Sequence, residues 1–234
     1  MSTLSKPRFP PAEAISLSLP FLQYPQQPIS TLCEGLRNIV EMCDLDSNLI
    51  SIFVELQYLN STLAISTRNL MTTYHVHASV QYHLLMFRST SYSDGPISAI
   101  QELCSLGAVT YLKTVYDFQR SISTGGPPTG ASTDIVTIQQ LKSCLDFIEI
   151  NTPQTQAFFL WMLFLGGSVV VSTKERTWFV ARLARTIVEM QIRSWEDMRE
   201  LLKRFLWVDW IHGDPCREFW DEAMVTVDVL FGGG

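Results

Sequence analysis

The sequence predicts an all-α protein, a layered or orthogonal bundle of about eight to ten helices. Three observations carry that expectation. Apolar residues recur at three- and four-residue steps, as in Leu32, Leu36, Ile39, Val40 and Cys43, which is the spacing of one helix face. Helix-start signals punctuate the chain, at Asp46-Ser47, Asn151-Thr152-Pro153 and Ser194-Trp-Glu-Asp197. Strand-like alternation is scarce.

Taken in order, residues 1–29 read as an extended arm, because six prolines between Pro7 and Pro28 forbid a helix there. Residues 30–231 read as one helical domain. Ser30 is the expected cap of its first helix. Asp46 or Ser47 caps the second, with Leu49, Ile52, Phe53, Leu56, Leu59 and Leu63 along one side. A third helix spans Thr67 to Phe87, and Ser89–Gly95 is a polar turn. Asp94-Gly95-Pro96 opens a long fourth helix to about Phe118, since proline suits a first turn whose N–H groups lack partners anyway. Gly107 and Ala108 in its middle predict a second helix passing close.

Residues 121–132, rich in Ser, Gly and Pro, read as a flexible loop. Residues 134–149 form the next helix on Ile135, Ile138, Leu141, Leu145 and Ile148. Thr152 and Pro153 start the most apolar stretch, in which Gly166-Gly167 loosens the helix or admits a neighbour. Ser172-Thr-Lys-Glu175 has the form of a capping box, and Ser194 to Asp197 repeats it with a shorter acid. Asp214-Pro215 reads as the start of the last helix.

Composition narrows the function. The net charge is −6 and the pI about 5.2. The basic residues cluster only at Arg182/Arg185 and Lys203/Arg204, beside acids, which argues against direct nucleic-acid binding. Hydrophobic content is 47% against 17% charged, so apolar surface left for a partner is expected. The run 157–171 is shorter than the ~20 residues that span a bilayer and reads as a core helix, not a membrane segment. Five widely spaced cysteines without a Cys-x-x-Cys pair read as free thiols in a reducing compartment.

Catalytic and metal patterns are thin. On a helix His75 and His77 point about 200° apart, so they cannot share one ion. Glu196, Asp197, Glu200, Asp221 and Glu222 could pair carboxylates, but they fall where helix starts and solvated faces place acids. No nucleophile elbow, dinucleotide fingerprint or phosphate loop is present. The expected catalytic, metal, cofactor and nucleic-acid sites are therefore none. The aromatic residues Trp161, Phe164, Trp178, Phe179, Trp207 and Trp220 read as core first, and otherwise as an apolar pocket or a groove for a partner helix.

The second half carries a resemblance. Leu160-Trp-Met-Leu-Phe-Leu-Gly-Gly167, Glu175-Arg-Thr-Trp-Phe-Val180, Ser194-Trp-Glu-Asp197, Lys203-Arg-Phe-Leu-Trp-Val-Asp209 and Phe219-Trp220 resemble, in that order, the C-terminal regulatory domain of fungal-specific transcription factors. Looser similarity runs back to about residue 30. The signature positions are Trp161, Gly166, Gly167, Arg176, Trp178, Phe179, Ser194, Trp195, Phe205, Leu206, Trp207 and Trp220, with structural roles expected. The six-cysteine zinc cluster that usually accompanies such domains does not occur in the sequence.

The resemblance implies a nuclear, non-catalytic regulatory domain that acts through protein or effector contacts. The implied partners are other proteins, a second copy of the chain included, or an unknown apolar effector, with no direct nucleic acid. The rival readings are a stand-alone interaction module and a carrier of an apolar small molecule. The carrier reading expects a cavity near Trp161 and Trp178.

Overall fold

A computed structural model describes residues 29–65, 70–91, 98–125, 135–148, 152–170 and 174–231. Among the described residues there are nine α-helices and no strands: α1 Glu34–Met42, α2 Ser47–Ile65, α3 Leu70–Ser91, α4 Ala99–Thr124, α5 Ile135–Phe147, α6 Pro153–Val169, α7 Lys174–Glu189, α8 Trp195–Leu202 and α9 Asp209–Phe231. The all-α expectation therefore holds. Residues 1–28 of the N-terminal arm, Thr67, Asp94–Pro96, residues 126–132 of the flexible loop and Ser172 lie outside the described residues.

The helix α6 sits at the centre, packed by α1, α4, α5, α7, α8 and α9. Every residue from Phe158 to Gly167 is buried. That explains an apolar run with no polar face, since neighbours cover all its sides. It starts where the sequence placed it. The Thr152 hydroxyl accepts the Thr155 N–H at 3.2 Å, Thr155 returns the bond to the Thr152 N–H at 3.1 Å, and Pro153 fills the first turn.

Small residues let the bundle close around α6. A Cβ on Gly107 of α4 would run into Met162, as the predicted close passage requires. A Cβ on Gly166 would meet the Phe179 ring at 2.6 Å, and one on Gly167 would meet the Phe219 ring. The glycine pair therefore admits two aromatic side chains, from α7 and α9, against the helix backbone. The buried cluster runs from Leu32 to Ala223, so both halves of the chain share it.

Several boundaries differ from expectation. Ser30 lies in a 3-10 turn, Ile29–Thr31, and α1 starts after Cys33, whose side chain makes no capping bond. Residues 89–91, expected in a turn, continue α3. The described start of α4 is Ser98, whose hydroxyl accepts the Gln101 N–H at 3.3 Å, and the helix runs past Phe118 to Thr124. Residues 121–124 of the expected loop are thus helical, and Gly125 ends the helix at φ 65.

The largest difference is at Pro215, which lies inside α9 rather than at its start. The helix begins six residues earlier because the Val208 carbonyl receives the Ile211 and His212 N–H groups at 3.0 and 2.9 Å. The ring nitrogen Nδ1 of His212 lies 3.0 Å from the Val208 N–H and accepts it. A side-chain cap written by a histidine four residues on is invisible to a search for Ser, Thr, Asp or Asn.

Candidate functional site

The signature residues serve the scaffold. The Trp161 ring stacks on Phe205 at 5.2 Å, and Phe205 fills the place where a Cβ on Gly35 would sit. Trp178 meets Phe179 edge-on at 4.9 Å, and the Lys142 ammonium lies 5.3 Å from the Trp178 ring centre. Trp195 leans on Trp220 and Phe164. Leu206 is fully buried. The Ser194 hydroxyl accepts the Asp197 N–H at 3.1 Å, the hydroxyl half of the expected box, but the Asp197 carboxylate takes the hydroxyl proton at 2.8 Å, where the box would have it accept the Ser194 N–H.

Arg176 ties three helices together. Its Nε and Nη2 donate to the two carboxylate oxygens of Glu222 on α9 at 2.9 and 2.7 Å, and Nη1 donates to the Gly167 carbonyl of α6. The guanidinium lies 4.7 Å from the Phe219 ring centre. A planar fork that spans a carboxylate and caps a carbonyl is work that only arginine does. A second such knot joins α8 to α9. There Asp209 accepts from Trp207 Nε1 at 2.7 Å and from Arg199 at 2.7 and 3.1 Å. Partial burial opposes its charge, yet these bonds hold its carboxyl below the usual range.

The other acids and histidines are also placed by packing. Asp221 pairs with Arg217, Glu200 with Lys203, and Glu196 is an exposed residue of the first turn of α8. His83 meets Glu55 of α2 at 2.8 Å, a partner that sequence proximity could not reveal. No cluster of three metal-ligating side chains occurs among the described residues. His212 is buried between the rings of Tyr111 and Trp207, at 5.5 and 5.4 Å. Burial pulls its pKa down to about 4, against the opposing pull of the Val208 backbone and Asp209.

All five cysteines are free thiols. Burial pushes Cys33 up to about 11 and Cys216 up to about 12. Both are thereby poor nucleophiles at neutral pH. Among the described residues no helix is long and apolar enough to cross a membrane.

An open concavity among the described residues lies elsewhere, between α3 and α4. The two helices run antiparallel: His77 meets Tyr116 at 5.2 Å between ring centres, and Arg88 donates to the Ser105 hydroxyl at 3.2 Å. Val76, Val80, Leu84 and Phe87 turn one face of α3 into the core. Tyr74, Ala78, Gln81 and Leu85 form a second stripe at steps of four, three and four residues. With Val109, Lys113 and Tyr116 of α4 they line a groove of about 450 Å³.

Three apolar side chains along it stay exposed: Tyr74 at 60%, Leu85 at 62% and Tyr116 at 41%. The buried His77 borders the groove, and its Nε2 makes no hydrogen bond among the described residues. Burial lowers its pKa. A smaller cavity of about 160 Å³ lies beside Phe158 and Phe159, under Cys43 and Leu103. Trp161 and Trp178 line neither of these two cavities, although Phe158 of the smaller one lies 6.0 Å from the Trp161 ring.

Sequence reasoning missed the groove. Its only signal was that α3 is apolar on two faces, where one suffices for a helix at the edge of a bundle. No family model, no curated protein and no solved structure matches this chain.

Proposed function

We propose that this chain is a non-catalytic regulatory domain of fungal transcription-factor type, that it works in the nucleus through protein contacts, and that the α3–α4 groove makes them. The groove is the observation that carries this reading. A helix that keeps tyrosine and leucine in water along several turns is stabilised when a partner covers them. The resemblance of the segments from Leu160 to Trp220, taken in order, supports the regulatory part of the reading, and those residues build the body that holds the groove.

The titratable groups described above fit a binding module. Glu222 and Asp209 hold arginines, and the buried thiols resist ionisation. The net charge of −6 disfavours a polyanion as the partner. The volume of about 450 Å³ also lies in the range of small-molecule sites, so an apolar effector is the second reading.

A reporter assay tests the first. Fused to an unrelated DNA-binding domain, the chain is expected to change transcription from the cognate promoter, and Leu85→Glu is expected to abolish the change at equal protein level. A wild-type fusion without effect would contradict the regulatory reading. An L85E fusion with full effect would contradict the groove.

A further inference from the structure

We propose that the smaller cavity, beside Phe158 and Phe159, is a binding site for a compact hydrocarbon, a single aromatic ring that carries no hydrogen-bonding group. The site shares no lining residue with the α3–α4 groove, so the inference does not rest on the groove as a contact surface. The build of the cavity, the state of its polar atoms and its size carry the inference.

Four helices contribute to it. Cys43 follows the end of α1, Ile100 and Leu103 lie in the first turns of α4, Ile148 follows α5, and Thr155, Phe158 and Phe159 belong to the start of α6. The steps of three and four residues from Thr155 to the two rings let one helix supply all three side chains. Leu103, Phe158 and Phe159 are buried and form a floor. Cys43, Ile100, Ile148 and Thr155 are half-buried and leave the cavity a mouth.

The polar atoms of that lining are already committed or weak. The Thr155 hydroxyl donates to the Thr152 carbonyl at 2.9 Å and accepts the Thr152 N–H at 3.1 Å, as part of the cap of α6. Burial raises the pKa of the Cys43 thiol, which stays neutral and is a weak donor and acceptor. The remaining lining side chains are hydrocarbon. A buried water needs about two to four polar partners, and these side chains do not supply them.

Size then selects the guest. The volume is about 160 Å³. An apolar cavity of about 150 Å³ walled by Leu, Ile and Phe stays dry and takes up benzene, whereas sites for drug-sized ligands start at about 300 Å³. A ring seated here packs on Phe158, whose own ring lies 6.0 Å from Trp161 and 6.1 Å from Phe205. Occupancy therefore adds contacts at the centre of the body and stabilises the fold.

Thermal unfolding of the full chain over a benzene series tests this, together with methyl NMR spectra of the folded protein. Benzene is expected to raise Tm by about 3–5 °C once it reaches about ten times its dissociation constant. The methyl signals of Leu103 and Ile148 are expected to shift, and those of Leu85 in the groove to stay in place. Phenol brings a hydroxyl that finds no free acceptor among the lining side chains, and is expected to bind about tenfold more weakly than benzene. Ile100→Phe sets a ring in the mouth of the cavity and is expected to abolish the rise in Tm, with circular dichroism to confirm that the variant is folded.

A Tm indifferent to benzene up to its solubility would overturn the proposal. So would a folded I100F variant that keeps the full rise, or phenol binding as tightly as benzene. Shifts at Leu85 without shifts at Leu103 would overturn it too, since they would place the ring in the groove. Should I100F fail to fold, the wild-type methyl shifts decide between these outcomes.

Discussion

Two helices of this protein, α6 and α3, are apolar on more than one face, and they meet opposite fates. Six helices surround α6, so its apolar run from Phe158 to Leu165 is buried on every side. The helix α3 packs mainly on α2 and α4. Its inner stripe is buried, and its outer stripe from Tyr74 to Leu85 is left in water. The same sequence feature thus builds a core in one place and a surface for contact in the other. Neighbours decide which, and their number is a property of topology rather than of the helix.

The comparison can be broken in order of expected effect. Trp161→Ala removes the ring stacked on Phe205 at the centre of the body, and a cost of about 3–5 kcal/mol is expected, seen as a Tm lower by on the order of 10 °C. A loss under about 1 kcal/mol would show that α6 is not the centre it is taken to be.

Arg176→Met comes next. It leaves the Gly167 carbonyl and Glu222 without their donor, and a loss of about 1–3 kcal/mol in denaturant unfolding is expected. Arg176→Lys should recover only part of this, since an ammonium cannot span the carboxylate and the carbonyl together. Full recovery would mean that charge alone matters there.

The third prediction concerns pH. His212 has a folded pKa near 4, below the ~6.5 of an unfolded histidine. Between those values the unfolded chain binds the extra proton, so stability falls as pH drops from about 6.5 toward 4. His212→Phe removes that contribution, and its unfolding free energy should fall less steeply over the same window than that of wild type. Equal slopes would show that His212 is not held neutral.

The smallest effect on stability is expected at the groove. Leu85→Glu should change the unfolding free energy by about 0.5 kcal/mol or less, because Leu85 is an exposed residue.

The body of the fold was legible where its signals are local. Thr152 with Pro153, and Ser194 with Asp197, cap helices as short-range chemistry dictates, and Gly107 marks the crossing of α4 and α6. The start of α9 was not legible, because the cap is the ring of His212 and the nearest conventional signal, Pro215, lies one and a half turns too late. Nor was the pairing of His83 with Glu55, which are 28 residues apart and meet only once α2 and α3 are packed. The tryptophans pointed to the half of the chain that organises the fold. They did not point to the groove, whose residues are spread over two helices and whose apolar members Tyr74, Leu85 and Tyr116 differ from core residues in being exposed.

The central claim is that the aromatic half is scaffold and the α3–α4 face is the working surface. Leu85→Glu, measured at once for Tm and for reporter output, tests it most directly. The account predicts a Tm within about 2 °C of wild type and loss of output. Unchanged output at an unchanged Tm would contradict it.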